Sequence, residues 1–365
     1  MATDYRARTS LKISRRSFPG DFSPSYALSA AGAPGYESCS VSGQDLEAAM
    51  NVRPSILCPV DFSAASAGAL RYAAAIASHF AARLIVLTVE DPLLTEAADL
   101  GTGVVWNPED SRREVEQFSG KTFGTRAAIL ATLEYDVAVG KPSVEILRVA
   151  RERSCDLIVM STRGLTGIRK LFFGSTTERV LRETTRPVLL TPPVDPGAVS
   201  VEDAKHLIGR ILVPVDLSSA SLRQTQVARA VSEAIGVPAI LVHVIEPTKS
   251  RLAARLHLAG VEADRRAVAE DQLGELVATV PLRLRPEALV VYGDPAEELA
   301  KVARDRQAGL VVMGLHGSPL LGPRMGSVTY RMLCLSPTLV LALPPKQLEV
   351  ARRQEPQAAG ASALR

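Results

Sequence analysis

Residues 310–333 read Leu310-Val-Val-Met-Gly314-Leu-His-Gly317, then eight residues from Ser318 to Met325, then Gly326-Ser327-Val-Thr-Tyr-Arg-Met-Leu333. The apolar residues at its start predict a short buried strand, and the glycines predict a loop in front of a helix that begins near Ser327. Glycine permits positive φ and a close approach of the backbone to a ligand. Amides at a helix N-terminus attract negative charge. The stretch therefore predicts a phosphate-binding loop.

The same pattern occurs a second time upstream. Ser161-Thr-Arg-Gly164 follows an apolar run and is separated by nine residues from Gly174-Ser175-Thr176-Thr177. Three further pairs of landmarks repeat in the same order 150 to 155 positions apart: Asp61 and Asp216, Gly140 and Gly293, and Pro187 and Pro337. A shared order at nearly constant spacing indicates two copies of one unit in tandem.

The length of 365 residues suits two such units with additional tails. We expect one domain over 53–192, a linker over 193–208, a second domain over 209–344 and a solvated tail over 345–365. Residues 1–52 are rich in Ser, Ala, Gly and Pro, which favours disorder. A targeting peptide, or a start site that truly lies at Met50, are the alternatives for this leader.

Composition narrows the class of protein. Apolar residues make up 47% and charged residues 22% of the chain, values typical of a globular protein. A net charge of +3 argues against nucleic acid or an anionic membrane as a partner. No apolar run approaches eighteen residues, so no membrane span is expected. The four cysteines lack metal-type spacing, and we interpret them as buried thiols of a cytoplasmic protein.

Strands alternate with helices in both units. In the first we expect strands over 55–60, 84–89, 134–139, 156–160 and 187–191, with helices over 64–80, 109–132, 143–153 and 175–184. In the second we expect strands over 210–215, 238–244, 286–291, 309–313 and 338–343, with helices over 219–235, 249–279, 296–307 and 327–335. This order predicts an α/β fold of two tandem doubly wound domains, each with a five-stranded parallel sheet.

Two polar features of each unit meet at the carboxyl edge of this sheet. Asp61 and Asp216 leave the first strand of their units, and the glycine loops leave the fourth. Ligands of doubly wound sheets bind at this edge, where the strand order reverses. A carboxylate can accept hydrogen bonds from a base or sugar while loop amides hold phosphates. Nucleotide binding is therefore our hypothesis. His243, on the second strand, is expected in the core or in the pocket wall.

These residues resemble the universal stress protein family in its tandem form. Nucleotide-binding members show Gly-x2-Gly-x9-Gly-(Ser/Thr) after the fourth strand, an Asp at the end of the first strand and a valine at the end of the second. The second unit has Gly314-x2-Gly317-x8-Gly326-Ser327, a loop one residue shorter. The first unit has Ser161-x2-Gly164-x9-Gly174-Ser175, with Ser161 in place of the first glycine. The strand-two valines are Val89 and Val244.

The resemblance implies an adenine-nucleotide α-hydrolase-like fold that binds ATP, with or without magnesium. Asp61 or Asp216, and the backbone at Val89 or Val244, would contact the adenosine. The residues implied at the phosphates are Gly164, Gly174, Ser175 and Thr176 in the first unit, and Gly314, Gly317, Gly326 and Ser327 in the second. The resemblance also implies that the fifth strands pair edge to edge as an internal pseudo-dimer, with a homodimer as a further assembly, and that nucleotide regulates a stress response through conformation or partners.

Several alternatives stay open. Ser175 and Ser327 could act only as helix N-caps, the glycines could only turn the chain, and the aspartates could only solvate a loop. The protein could then be a nucleotide-free interaction scaffold. It could also be a slow ATPase or an autophosphorylating protein with Ser175, Thr176 or Ser327 as acceptor. Neither Gly-x4-Gly-Lys-(Ser/Thr) nor another catalytic motif is present, so any hydrolysis should be slow.

Overall fold

A computed structural model describes residues 53–92, 107–124, 132–162, 174–193, 201–247, 259–280, 283–315, 325–335 and 338–345. The expected leader over 1–52, all residues after 345 and the first part of helix 249–279 lie outside these ranges, as do Gly164 and Gly317.

Ten strands form one sheet in the order β3-β2-β1-β4-β5-β10-β9-β6-β7-β8. The strands of the first unit are β1 (Ser55–Pro59), β2 (Arg83–Glu90), β3 (Thr132–Val139), β4 (Leu157–Ser161) and β5 (Val188–Thr191). Those of the second are β6 (Ile211–Pro214), β7 (Ala239–Ile245), β8 (Glu287–Tyr292), β9 (Leu310–Gly314) and β10 (Leu339–Leu343). All pairs within a unit are parallel, and the strand order reverses between β1 and β4 and between β6 and β9. The predicted doubly wound α/β fold is confirmed.

Helices cover both faces of the sheet. The first unit contains α1 (Ala64–Phe80), α2 (Pro108–Phe123), α3 (Pro142–Glu152) and α4 (Ser175–Glu183). Helix α5 (Val201–Ile208) precedes the second unit, which contains α6 (Ser219–Ile235), α7 (Ala259–Thr279), α8 (Pro295–Asp305) and α9 (Ser327–Leu335). Within the described ranges, no helix has both the length and the apolar character that a membrane crossing requires.

The strands are apolar on both faces because both faces are covered. Ile56 and Cys58 belong to a core on the α1 and α6 side, whereas Leu57 belongs to a core on the α3 and α8 side, and all three are fully buried. Successive side chains of a strand point to opposite faces of the sheet, so one run of apolar residues contributes to both hydrophobic cores. Each core extends through both units.

Local capping explains where the longer helices begin and end. Ser63 accepts a hydrogen bond from Ser66 N at the start of α1, and Ser218 accepts one from Ala220 N at the start of α6. The predicted helix over 109–132 is too long. Helix α2 ends at Phe123 because Gly124 turns the backbone with φ +58°, and Thr132 already belongs to β3.

The two units join through their fifth strands. β5 and β10 pair antiparallel, with Leu189 opposite Leu341 and Leu190 opposite Val340. This pairing gives each apolar edge strand a partner, which protects it from pairing with other chains. The edge-to-edge contact implied by the family resemblance is therefore present within one chain.

The stretch expected as a linker contains helix α5. Its last residue, Ile208, is buried, and Gly309 N donates a hydrogen bond to Ile208 O at 2.8 Å. A Cβ on Gly309 would lie 2.3 Å from Leu207 O, so only glycine allows this approach. Helix α5 therefore docks at the amino ends of β6 and β9, opposite the carboxyl edge.

Two of the cysteines are fully enclosed. Cys58 and Cys155 are buried, and this burial raises the pKa of both thiols above the ordinary value. Ser55 Oγ donates to Cys155 Sγ at 3.7 Å. A high pKa keeps a thiol protonated and unreactive at neutral pH, so the interpretation as buried thiols holds for these two. Cys334 in α9 is only half-buried, so the expectation of burial is wrong there, and Cys39 lies outside the described residues.

Candidate functional site

Asp61 and Asp216 occupy equivalent places beyond the ends of β1 and β6. The residue before each aspartate is tied to the second strand of its unit: Val60 N donates to Leu87 O at 2.8 Å and Val215 N donates to Val242 O at 2.9 Å. Each aspartate is therefore held at the carboxyl edge of the sheet, beside the point of strand reversal.

Serines orient the carboxylate of Asp216. Oδ1 accepts hydrogen bonds from Ser218 N at 3.0 Å and from Ser221 Oγ at 2.8 Å. Surrounding protein partly desolvates the carboxylate, which by itself raises the pKa, but the bonds from these serines outweigh it and the pKa of Asp216 lies below the ordinary value. Asp216 is therefore ionised at neutral pH. Asp61 Oδ1 likewise accepts bonds from the amide and hydroxyl of Ser63.

The residue after each aspartate has an unusual backbone conformation. Phe62 has φ +61° and Leu217 has φ +59°, in the left-handed region that bulky apolar residues rarely adopt. Such a conformation costs about 1–3 kcal/mol and persists only where the surroundings hold it. Its presence at the same position in both units shows that the loop behind the aspartate has one defined shape.

The loop after β9 is fixed at both of its described ends. Gly326 N donates to Leu315 O at 2.9 Å, and Thr329 Oγ1 donates to Gly314 O at 2.9 Å. Helix α9 then starts at Ser327, which is exposed, and its first turn contains no acidic residue. The helix N-terminus therefore offers free amides without a competing carboxylate.

The first unit repeats these anchors. Gly174 N donates to Thr162 O at 3.1 Å, and Thr177 Oγ1 donates to Ser161 O at 3.0 Å. Gly174 is itself the N-cap of α4, so the exposed Ser175 is the first helical residue and not the cap. Thr176 follows it and is half-buried. The N-cap alternative for Ser175 is therefore wrong, and its hydroxyl lies at the helix N-terminus.

Five of the predicted residues of the second unit line one cavity of about 750 Å³: Asp216, Val244, Gly314, Gly326 and Ser327. The volume lies within the range of roughly 300–1,000 Å³ that is usual for small-molecule sites. Asp61, Val89, Gly174, Ser175 and Thr176 hold the corresponding positions in the first unit. The predictions for Gly164 and Gly317 concern residues outside the described ranges.

The cavity also contains residues that the sequence did not single out. Gln224 of α6, Arg265 of α7 and Met325 before α9 lie in its wall, together with the expected His243. His243 Nδ1 lies 2.9 Å from Val215 O, and because a carbonyl only accepts, Nδ1 carries the donated proton. Arg265 Nη2 donates to Glu246 O at 3.2 Å. The sequence predicts the strand and helices that contain these residues. It does not show the contacts with distant residues that place them in the cavity wall.

Gln224 occupies the point where β6 and β9 separate. These strands pair only through Ile211 with Leu310 and Leu212 with Val311, and then diverge. Gln224 Nε2 donates to Pro214 O and, at 2.9 Å, to Val312 O, so one buried amide bridges the two strands. The corresponding residue of α1 is Ala69, which is fully buried. The two units therefore differ at the floor of the cleft.

Protein ligands for a metal ion are not gathered here. Across the described ranges, no group of three or more His, Cys, Asp or Glu side chains is placed to hold a metal. Magnesium typically uses one or two carboxylates together with water and substrate phosphates. The described residues thus fit a magnesium ion only as a companion of bound phosphates.

The fold and the cavity define a tandem α/β protein with a ligand cleft at a strand-order reversal. The family model for the Universal stress protein family matches residues 53–192 and 208–344. Because these matches cover more than half of its length, the chain belongs to the universal stress protein family and carries two such domains. The resemblance drawn from the sequence is confirmed.

Individual relatives agree with this assignment. A universal stress protein of Mycolicibacterium smegmatis is 27% identical over 311 residues, which cover 80% of this chain and 97% of that protein. Universal stress protein YxiE of Bacillus subtilis is 32% identical over 145 residues, 37% of this chain and 96% of its own. The crystal structure of a universal stress protein from Archaeoglobus fulgidus covers 80% of this chain and 96% of its own, with a TM-score of 0.54 and 20% identity, and shows the shared fold.

Proposed function

We propose that the second unit binds an adenine nucleotide, with ATP as the expected ligand. The observation that carries this proposal is the convergence of Asp216, Val244, Gly314, Gly326 and Ser327 on one cavity. These residues come from four separate elements of the unit. If each residue had only a structural role, there would be no reason for all five to line the same cavity.

The phosphates would lie at the start of α9. Free amides of the first helical turn and the exposed hydroxyl of Ser327 supply donors there, and the helix dipole favours negative charge. The first turn has no acidic residue that would repel a phosphate. Gly314 and Gly326 add backbone without side chains, so phosphate oxygens can approach the amides closely.

The adenosine would lie at the opposite side of the cavity, near Asp216. An ionised carboxylate accepts hydrogen bonds from the exocyclic amine of adenine or from ribose hydroxyls. Its bonds from Ser218 and Ser221 both arrive at Oδ1, which fixes the carboxylate before a ligand enters. Val244, at the carboxyl end of β7, is half-buried, and its neighbour Ile245 closes the wall.

The first unit is the second candidate site in the same protein. Its aspartate and loop anchors follow the same pattern, but Ser161 replaces Gly314, Ala69 replaces Gln224, and the first turn of α4 contains the acidic Glu178 where that of α9 contains no acidic residue. We propose that it binds the same class of ligand with a different affinity. Nucleotide would then stabilise the folded protein by mass action, which is one way to signal a stress state to partners.

Equilibrium dialysis with radiolabelled ATP tests this assignment. We expect Asp216→Ala to remove binding at the second unit, Asp61→Ala to remove binding at the first, and the double variant to retain none. Asp271→Ala, an exposed position of α7 outside the cavity wall, is the matched control and should bind as the unaltered protein does. Full retention of ATP by the double variant would refute the proposed role of the aspartates. Released phosphate or label on the protein would instead favour the ATPase or autophosphorylation alternative.

A further inference from the structure

The cleft of the second unit adjoins a second cavity of about 430 Å³, called the side lobe below. Four residues line both the lobe and the main cavity: Asp216, His243, Ile245 and Arg265. The other described residues of its wall come from the loop after β6 and from α7. Among the described residues, none from β9 or α9 contributes to it. The lobe therefore lies at the Asp216 end of the cleft, away from the start of α9.

Charge argues against a phosphate in this lobe. Of the described residues that line the lobe, Asp216 and Asp264 contribute two carboxylates and Arg265 contributes one guanidinium. Arg265 also donates to the backbone oxygen of Glu246, so part of its donor capacity is already used. The excess of negative charge raises the energy of an anion placed there. The lobe is suited to a neutral or cationic group.

The remaining wall suits a flat apolar group. Leu217, Ile245 and Val268 supply apolar surface, while Gln272 and His243 supply polar atoms at its margin. Val268 is 56% exposed, so much of its aliphatic side chain is open to the lobe. An aromatic ring in the lobe would cover this exposed surface and still allow hydrogen bonds at its edge.

We propose that the second unit takes an adenine nucleotide whose exocyclic amine carries an additional flat apolar group, and that this group occupies the side lobe. The inference rests on the proposed function, which places adenosine near Asp216 and phosphates near Ser327. A substituted amine retains one N–H for the Asp216 carboxylate. In a dinucleotide, the second nucleoside is attached to the phosphates. It would therefore lie near the start of α9 and not near the side lobe. The ligand class is therefore N6-substituted adenine nucleotides.

Calorimetric titration of the whole protein with N6-benzyl-ATP and with ATP provides the test. We expect the substituted nucleotide to bind about fivefold more tightly than ATP. Val268→Trp fills the lobe from an exposed helical position and so leaves the core untouched. In this variant we expect the affinity for N6-benzyl-ATP to fall about tenfold, while the affinity for ATP changes less than about twofold.

Leu284→Trp is the matched control, because Leu284 is also an exposed aliphatic residue of the second unit but precedes β8 at the amino ends of the strands. It should leave both affinities unchanged. If ATP binds and N6-benzyl-ATP does not, or if Val268→Trp weakens both equally, the inference is overturned while the proposed function stands. If neither nucleotide binds the unaltered protein, the proposed function itself fails.

Discussion

Gln224 donates a hydrogen bond from Nε2 to the carbonyl oxygen of Val312 at 2.9 Å, joining α6 to β9 across 88 positions of sequence. The same nitrogen donates to Pro214 O of β6. The side chain is buried at the point where the two strands separate to form the cleft. One amide therefore holds both walls of the candidate site at their base.

Replacement of Gln224 by alanine, the residue found at the equivalent position of α1, should destabilise the protein by about 1–3 kcal/mol, because two buried hydrogen bonds are lost. The free energy of urea unfolding measures this. Gln226→Ala, at an exposed position of the same helix, should change it by less than about 0.5 kcal/mol. Equal effects of the two substitutions would show that the bridge contributes little.

A second prediction concerns Gly293, whose amide bonds to Ile245 O at 3.2 Å beside the cleft. Its φ is +147°, and an added Cβ would lie 2.6 Å from Glu298 Cγ. Gly293→Ala should therefore cost about 1–3 kcal/mol of unfolding free energy. Gly274→Ala is the matched control, since a Cβ there meets nothing within 4 Å inside α7 and the helix should gain up to about 1 kcal/mol. The melting temperatures of both variants, compared with that of the unaltered protein, test this prediction. A Gly293→Ala protein that melts at the temperature of the unaltered protein would contradict the backbone geometry described for Gly293.

The hydrogen bonds to Asp216 should make the unfolding free energy depend on pH in the acid range. Because they hold its pKa in the folded protein below the ordinary value of 3.8, the unfolded chain binds a proton first as the pH falls. The stabilisation is thus complete above this value and is lost as the pH falls through the lower pKa of the folded state. The difference in unfolding free energy between the unaltered protein and Asp216→Asn should be largest near about pH 6 and shrink below about pH 4. A difference that stays constant with pH would rule out this assignment.

His243 positions the loop that carries Asp216, since its Nδ1 donates to the carbonyl of the preceding residue, Val215. The first unit has Thr88 at this position. We expect His243→Thr to weaken ATP binding at the second unit about three- to tenfold, a loss comparable to one hydrogen bond, without unfolding the protein. Calorimetry measures the affinity. His206→Thr, at an exposed site of α5, should leave it unchanged, and an equal affinity in both variants would exclude the positioning role.

Local sequence signals were sufficient for most of the fold. Helices α1, α6 and α9 match the predicted bounds to the residue. At α1 and α6 a serine cap, an apolar period and a flanking strand agree, whereas α9 begins at Ser327 directly after the glycine loop. Helix α5 was missed because Pro192, Pro193, Pro196 and Gly197 indicate a loop. Its docking depends on Gly309, about a hundred positions away, and no local pattern shows that contact.

The part of the candidate site that lies at the carboxyl ends of the strands could be predicted from the strand order. Asp216, Val244 and Gly314 follow or end strands that must meet at one edge, so their convergence followed from the strand order. Gln224 and Arg265 could not be found in this way. A polar residue on a helix usually faces solvent, and only the three-dimensional contacts show that these two line the cleft.

Titration of the whole protein with ATP by calorimetry, with melting temperatures recorded in parallel, tests the central claim most directly. We predict a binding heat that saturates and a melting temperature that rises with nucleotide concentration, as ligand binding to the folded state requires. Asp216→Ala should lose the part of both signals that comes from the second unit. No heat and no change in melting temperature at about millimolar ATP, a concentration at which even weak specific sites fill, would contradict the account.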